Sequence, residues 1–151
     1  MTRSTRGFTV AELVMVSALV AILAAVAVPT GRFMVQRERE TELRYDLRLM
    51  RNAIDDYKRL ADQGMIQIEI GTEGYPKELE NLVEGISIVG QVTKRKFLRR
   101  IPLDPMTGKA GWGLRSYQDS ADSTSWGGQN VYDVYSLSEG TGLDGTKYKD
   151  W

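Results

Sequence analysis

The feature that most constrains this chain is a long apolar run close to its start. From residue 8 to residue 28 the side chains are almost all aliphatic or small, and the run ends just before Pro29. Wound into an α-helix, a run of this length rises about 30 Å, which matches the hydrocarbon core of a bilayer. The sequence therefore predicts a helix that can span a membrane, with Glu12 as its only charged residue.

The carboxylate of Glu12 needs an explanation in such a helix. A charged side chain near the centre of a bilayer costs about 2.5 to 3.5 kcal/mol, and less toward the interface, where Glu12 would lie. Either a positive partner offsets this charge, or the side chain reaches the headgroups as an ordinary interfacial glutamate. Both interpretations stay open on the residues alone.

Three interpretations of the segment differ in where the chain is cut. In an ordinary secretory signal, Arg3 and Arg6 would form the basic region and residues 25–27 the small-residue cleavage motif. A carboxylate inside the apolar region opposes that interpretation. In a plain single-span anchor nothing is removed. In the third interpretation cleavage falls between Gly7 and Phe8, and the apolar helix stays on the mature protein.

Four residues in a fixed register carry a resemblance to a known family. Gly7 precedes the hydrophobic Phe8, Glu12 follows inside the apolar run, and Pro29 closes the run ahead of an amphipathic helix. As a set, these residues resemble the prepilin signature that type IV pilins share with the pseudopilins of type II secretion systems. The resemblance implies that a prepilin peptidase cuts after Gly7 on the cytoplasmic face and methylates the new amino terminus at Phe8.

The resemblance also implies that the mature chain assembles into a homopolymer, together with other pseudopilins, through its apolar helix. A carboxylate at Glu12 can be offset by the positive amino terminus of Phe8 in a neighbouring subunit, because unlike charges attract strongly where the dielectric constant is low. Phe8 and Glu12 are thus the expected assembly residues. Their pairing would set the register of a filament.

The basic residues around the run indicate its orientation. Arg3 and Arg6 precede it, and the short basic side is normally kept in the cytoplasm. Arg32, Arg37 and Arg39 on the far side weaken this contrast. With the leader held inside, we expect a single-pass protein of the bacterial inner membrane, with the residues after the run facing the periplasm.

Composition lowers the expectation of several classes of function. The formal net charge is zero, so no overall field recruits nucleic acid, and the basic segment at residues 94–100 is interpreted as a solvated connector. The 151 residues include no histidine and no cysteine, which removes the Ser-His-Asp arrangement, disulfides and thiolate zinc sites. We therefore assign no catalytic residue and expect a protein that is not an enzyme.

Residues 29–62 continue the helix with an amphipathic pattern. Proline lacks an amide hydrogen, so we expect a kink at Pro29, softened by Gly31, and Gly64 is expected to end the helix. Apolar residues recur at spacings of four and three, which predicts one stripe on a helix face. We expect this stripe to pack on the chain's own domain rather than in a coiled coil, since about two heptads are short. The stripe consists of Leu43, Leu47, Met50, Ile54, Tyr57 and Ala61.

The rest of the chain, residues 63–151, is expected to form a small α/β domain. Residues 75–83 predict a second short helix with a proline in its first turn, and Gly85 is expected to stop it. Residues 114–118 and 131–137 have strand character. A small antiparallel sheet packed on the long helix fits this pattern.

Two further segments resemble the G subunit, the major pseudopilin of type II secretion. Residues 98–108 resemble its arginine- and proline-containing stretch, with Met106 and Thr107 where that family usually has tryptophan and glycine. Residues 132–151 resemble its closing strand and terminal loop, which in that family hold a calcium ion. Hard cations bind carbonyl, hydroxyl and carboxylate oxygens. The resemblance offers those of Leu137, Ser138, Glu139, Asp144 and Asp150 as calcium ligands.

Lys147 and Lys149 depart from the family pattern, which has closely spaced acidic residues before the final tryptophan. Two lysines in a cation site would repel the ion. No cofactor is therefore required. Calcium in the terminal loop is one expectation, and a glycine-rich loop closed by its own hydrogen bonds is the alternative.

The expected fold is α+β and pilin-like, with a long N-terminal helix, membrane-spanning in its first half, packed on a small antiparallel sheet domain. The expected segments are a cleaved leader (residues 1–7), a transmembrane assembly helix (8–28), its amphipathic continuation (29–62) and a periplasmic domain (63–151). The expected function is a structural subunit of a periplasmic pseudopilus for type II protein secretion, assembled by an inner-membrane platform that a cytoplasmic ATPase drives. The alternatives are a type IV pilin of a surface fibre for adhesion, motility or DNA uptake, and a membrane-anchored binding module that never polymerises.

Overall fold

A computed structural model describes residues 7–90 and 92–151, and for residues 26–30 it describes the backbone alone. Its dominant element is the helix α1, Val10–Asp62. The backbone at Pro29 and Gly31 is helical, and the expected kink there stays a prediction. The expected leader, residues 1–6 before Gly7, lies outside the described residues.

Gly64 closes the C-terminal end of α1, as the sequence predicts. The amide of Gly64 donates to Ala61 O at 2.9 Å, and the amide of Met65 donates to Leu60 O at 3.0 Å. These two hydrogen bonds form the Schellman pattern that ends many helices. Gly64 has a φ of 68°, a left-handed conformation that glycine adopts readily because it has no β-carbon.

The apolar stripe on the second half of α1 is buried, as the sequence predicts. All six of its residues belong to the hydrophobic core, and Leu43, Met50 and Ile54 have no exposed surface. They share that core with side chains from the rest of the same domain, among them Leu82 and Val134. The expectation that the stripe packs on the chain's own domain is therefore confirmed.

The second helix is shorter than the sequence predicts. It spans Asn81–Glu84 (α2) rather than residues 75–83. Before it the chain makes a tight turn, in which the amide of Asn81 donates to Glu78 O at 3.3 Å and the amide of Glu78 donates to Asn81 Oδ1 at 3.1 Å. A side chain that captures a backbone amide in this way favours a turn over a helix. Gly85 follows the last helical residue, as expected.

Two antiparallel strands form at the segments that the sequence identifies, but both strands are short, and β1 begins one residue before the predicted range of 114–118. β1, Gly113–Arg115, pairs with β2, Asp133–Tyr135, and Leu114 lies opposite Val134. The predicted strands were five and seven residues long. The antiparallel arrangement is confirmed, while the lengths were predicted wrongly.

Side chains explain why the ladder ends after β1. The amide of Ser116 donates to Asp119 Oδ2 at 2.7 Å, and the amide of Tyr117 donates to Asn130 Oδ1 at 2.9 Å. Backbone amides that bind side chains are not available to a neighbouring strand. The sheet therefore stops where these polar side chains begin.

The chain divides into two compact units, Met1–Glu38 and Arg39–Trp151. The second unit contains the hydrophobic core, α2, the sheet and a short 3-10 helix at Tyr148–Asp150. With one long helix and one small antiparallel sheet, the protein belongs to the α+β class.

Candidate functional site

Thr9 caps the start of α1. The amide of Glu12 donates to Thr9 Oγ1 at 3.2 Å, and the amide of Leu13 donates to Thr9 O at 3.1 Å. A threonine in this position satisfies amides that the first turn of a helix otherwise leaves without partners. The spacing Thr-x-x-Glu is a known signal for a helix start, so the pattern could have identified Thr9, which the sequence-based prediction missed.

Glu12 lies in the first turn of α1. A carboxylate there faces the positive end of the helix dipole, which stabilises the helix by about 0.3–1 kcal/mol. This local role needs no second subunit, so it competes with the expected pairing between neighbours. Matched substitutions at Thr9 and Glu12 separate the two roles.

The residues at the expected cleavage point precede the helix. Gly7, Phe8 and Thr9 have no regular secondary structure, and Phe8 is 82% exposed. A β-carbon added at Gly7 would meet no atom within 4 Å. The peptide bond between Gly7 and Phe8 is therefore sterically open among the described residues, and its cleavage and the methylation of Phe8 stay predictions.

The first half of α1 exposes large apolar side chains all around the helix. Nine of them have exposed fractions between 52% and 80%. Proteins in water seldom leave a contiguous apolar surface of this kind uncovered. Among the described residues, no helix combines the length and the apolar character needed to cross a bilayer. The nine side chains are Val10, Leu13, Val14, Met15, Val16, Leu19, Val20, Ile22 and Leu23.

In the second unit, a buried glutamate on α1 holds the terminal loop. Glu40 is 7% exposed, and its Oε1 accepts hydrogen bonds from the amide of Leu143 and the hydroxyl of Tyr148, each at 2.9 Å. Tyr148 is buried as well. Because both side chains are shielded from water, losing the hydrogen bond between Glu40 and Tyr148 would cost more than losing one at the surface.

Arg44 contacts the same loop one turn further along α1. Its Nη2 lies 2.8 Å from Asp144 Oδ2, and its guanidinium lies 4.1 Å from the centroid of the Trp151 ring. Asp144 Oδ1 also accepts hydrogen bonds from the amide and the hydroxyl of Thr146, at 2.9 Å and 2.6 Å. These hydrogen bonds, followed by the charge of Arg44, lower the pKa of Asp144.

Two arginines join α1, the sheet and the terminal loop through one aspartate. Arg51 Nε lies 2.7 Å from Asp133 Oδ1, and Arg115 Nη1 lies 3.4 Å from Asp133 Oδ2. Arg51 also donates to Trp151 O at 2.7 Å, and Arg115 donates to Lys149 O at 3.3 Å. These contacts link residues far apart in sequence, and no local pattern indicated them.

The five expected calcium ligands line two different cavities. A cavity of about 510 Å³ is lined by Leu137, Ser138 and Glu139. A second cavity of about 810 Å³ is lined by Asp144 and Asp150. In addition, Arg44 and Thr146 already bind the carboxylate of Asp144.

Positive side chains and internal hydrogen bonds characterise the terminal loop itself. Lys147 and Lys149 line both cavities. The loop closes on itself through hydrogen bonds from the amide of Gly142 to Thr146 O at 2.8 Å and from the amide of Tyr148 to Gly140 O at 3.2 Å. No group of three histidine, cysteine, aspartate or glutamate side chains in the described part of the chain could hold a metal ion. Calcium binding stays a prediction. The hydrogen bonds within the loop are those expected for the alternative, a glycine-rich loop that closes on itself.

No protein-family model matches the chain, and neither a curated protein nor a solved structure matches it. The feature of the described residues that most indicates a function is the exposed apolar half of α1, which Thr9 caps and which carries Glu12 in its first turn.

Proposed function

We propose that the chain is a structural, pilin-like subunit that assembles through its N-terminal helix into a periplasmic pseudopilus for type II protein secretion. In this proposal a prepilin peptidase removes residues 1–7, and the apolar residues 8–28 hold the mature subunit in the inner membrane before assembly. A cytoplasmic ATPase that acts on an inner-membrane platform supplies the energy. The subunit itself then needs neither a catalytic residue nor a cofactor.

The exposed apolar half of α1 is the observation that carries this proposal. Its nine large apolar side chains are all more than half exposed. Burying a large aliphatic side chain contributes roughly 1.5–3 kcal/mol, so lipid or neighbouring helices would cover this segment favourably. The hydroxyl of Ser17, a polar group within the apolar run, donates to Leu13 O at 2.8 Å and is satisfied by the helix itself. The segment suits both environments of an assembling subunit, first lipid and then a bundle of helices.

Glu12 would select the register of that bundle. An unpartnered carboxylate costs about 2.5–3.5 kcal/mol near a bilayer centre. Attraction to a positive amino terminus at about 4 Å is worth roughly 4 kcal/mol at an effective dielectric constant of 20. Glu12 would lie toward the interface, where the cost is smaller, so this attraction is large enough to offset it. The register in which Glu12 meets the amino terminus of a neighbour would therefore be favoured.

The experiment that tests this proposal compares Glu12→Ala with Thr9→Ala in the full-length protein, produced together with its assembly machinery. We expect Glu12→Ala to enter the membrane normally and to form no ordered filaments in electron micrographs. Thr9→Ala removes only a helix cap, which is worth about 1 kcal/mol, so its filaments should persist. Membrane fractionation of both variants checks that insertion is unchanged.

Three results would contradict parts of the proposal. Normal filaments from Glu12→Ala would remove the pairing between subunits. Equal loss of filaments in both variants would assign Glu12 to the helix cap. Native filaments that project from the cell surface, rather than staying in the periplasm, would favour the surface fibre over the secretion pseudopilus.

A further inference from the structure

Two adjacent loops in the second unit form a surface that the proposed function does not use. The amide of Val89 donates to Met65 O at 2.9 Å, so the loop after α1 lies beside the loop after α2. Each side of this contact carries exposed aliphatic side chains. Ile70 is fully exposed, Val89 is 71% exposed, and Met65 and Ile68 are also exposed. These four side chains are called the aliphatic group below.

Charges of opposite sign lie in the two segments that contain Ile70 and Val89 of the aliphatic group. Residues 69–84 contain five glutamates and one lysine, whereas residues 85–103 contain five lysines or arginines and no acidic residue. The two segments are neighbours, because the amides of Phe97 and Leu98 both donate to Leu82 O at 2.9 Å. The surface is thus acidic in one part and basic in the adjoining part.

Most of these charges form no salt bridge with another described residue. Lys77 Nζ lies 3.4 Å from Glu69 Oε2. The other nine charges are exposed, and none of them forms a salt bridge within the described residues. Arg95 also lies 5.8 Å from the centroid of the Phe97 ring, and Arg100 acts on Asp46, but the exposure of all nine lets them bind charges on a second molecule. The nine are Glu73, Glu78, Glu80, Glu84, Lys94, Arg95, Lys96, Arg99 and Arg100.

We propose that this surface pairs two copies of the chain through a two-fold contact. A two-fold axis through the aliphatic group would place the acidic segment of each copy against the basic segment of the other. The aliphatic side chains of the two copies would then cover each other at the centre, with charge pairs around them. The pairing does not depend on the apolar half of α1, so it stands independently of the proposed filament.

The charges also explain why a second copy is a better occupant than an anionic bilayer or a nucleic acid. A uniformly negative partner would attract the basic segment and repel the adjoining glutamates. The surface carries nearly equal numbers of both signs, and a second copy presents the same numbers in the complementary order. Complementary charge on both sides of a contact suppresses partners that lack it.

Cysteine cross-linking tests the pairing directly, because the chain contains no cysteine of its own. In a two-fold contact a residue near the axis meets its own counterpart. We expect full-length Val89→Cys, oxidised in native membranes, to form a disulfide-linked dimer. The control is Ser120→Cys, an exposed position on the loop between β1 and β2, which should form no such dimer. Absence of the Val89→Cys dimer would overturn the proposal.

Adding Glu12→Ala to Val89→Cys distinguishes this contact from filament assembly. We expect the dimer to persist, since the apolar helix takes no part in it. A dimer that disappears with Glu12→Ala would belong to the filament and would overturn the proposal, even if filament assembly itself proved correct.

Charge reversal tests the electrostatic part of the contact. In the Val89→Cys background, Lys94→Glu with Lys96→Glu should reduce the dimer by about tenfold, and so should Glu80→Lys with Glu84→Lys. Combining both reversals should restore the dimer to within about twofold of the parent, because the charges match again. Thermal unfolding of each variant checks that it folds. Unchanged dimer in either reversal, or loss that the combination fails to rescue, would overturn the proposal.

Discussion

The two halves of α1 share a helical backbone but differ in what surrounds their leucines. In the second half Leu43 and Leu47 are buried, whereas Leu13 and Leu19 in the first half are more than half exposed. Both halves are rich in good helix formers, so propensity does not distinguish them. The difference teaches that the same residue type on one helix can be part of a core in one half and exposed in the other, since only the second half belongs to the unit that contains the hydrophobic core.

Truncating one leucine in each half of α1 tests this comparison with the largest expected change in the free energy of unfolding. We expect Leu47→Ala to destabilise the domain by about 2–5 kcal/mol, because it removes a core side chain and leaves a cavity. Leu19→Ala, the matched control, should change the free energy of unfolding by less than about 0.5 kcal/mol. Urea unfolding of the full-length protein in detergent, followed by tryptophan fluorescence, measures both. Equal effects would mean that the first half also packs within the chain.

The contact between Glu40 and the terminal loop should give the next largest effect. Glu40→Ala removes the buried carboxylate that accepts hydrogen bonds from the amide of Leu143 and the hydroxyl of Tyr148, so we expect a loss of about 1–3 kcal/mol. Glu38→Ala, at an exposed position two residues away, is the control and should be nearly neutral. A double-mutant cycle with Tyr148→Phe measures the coupling. Strictly additive losses would show that the two side chains do not stabilise each other.

Asp46 provides a smaller effect that depends on pH. Burial, followed by repulsion from Glu42, raises the pKa of Asp46 in the folded protein, with Asp104 adding to this and Arg100 opposing it. Because the folded pKa exceeds the unfolded value of 3.8, the folded state binds the proton more tightly, and stability is lost as pH rises through the folded pKa.

Replacing Asp46 by asparagine removes this penalty. We therefore expect Asp46→Asn to unfold at a higher temperature than the parent near pH 7, with the gain vanishing below about pH 4. Calorimetric melting curves between these pH values provide the measurement. A difference that stays constant over the whole range would exclude ionisation of Asp46 as its cause.

The smallest expected effect concerns the terminal loop, where we expect calcium to leave the unfolding temperature almost unchanged. Arg44 and Thr146 already bind Asp144, and the expected ligands are divided between two cavities. We therefore expect a chelator to change the unfolding temperature by less than about 1 °C, whereas calcium at a hundred times its Kd would add about 2.7 kcal/mol. A clear rise of the unfolding temperature with calcium, lost in Asp144→Asn, would establish the metal site instead.

Local patterns allowed the long helix to be predicted, because its determinants lie close together in sequence. The 3.6-residue period identified the buried stripe, and Gly64 marked the end of α1. The same reasoning failed for residues 75–83, where the side chain of Asn81 binds the amide of Glu78 and forms a turn. A single hydrogen bond of this kind leaves no periodic trace in the sequence.

The contacts of the terminal loop could not be predicted for a different reason. Glu40 and Tyr148 are 108 residues apart, and the arginines that share Asp133 come from different elements. Nothing in a local window indicates which distant partner a charged side chain will meet. Thr9 differs from these residues, because its Thr-x-x-Glu spacing is a local signal for a helix start. The sequence-based prediction could have used this signal and missed it.

Intact-mass analysis of the protein isolated from its native cells tests the central claim most directly. The claim is that the apolar half of α1 belongs to the mature subunit and leaves its packing to partners outside the chain. We predict a mass that corresponds to a chain starting at Phe8 with a methylated amino terminus. A chain that starts at residue 28, with the apolar segment removed, would contradict the account.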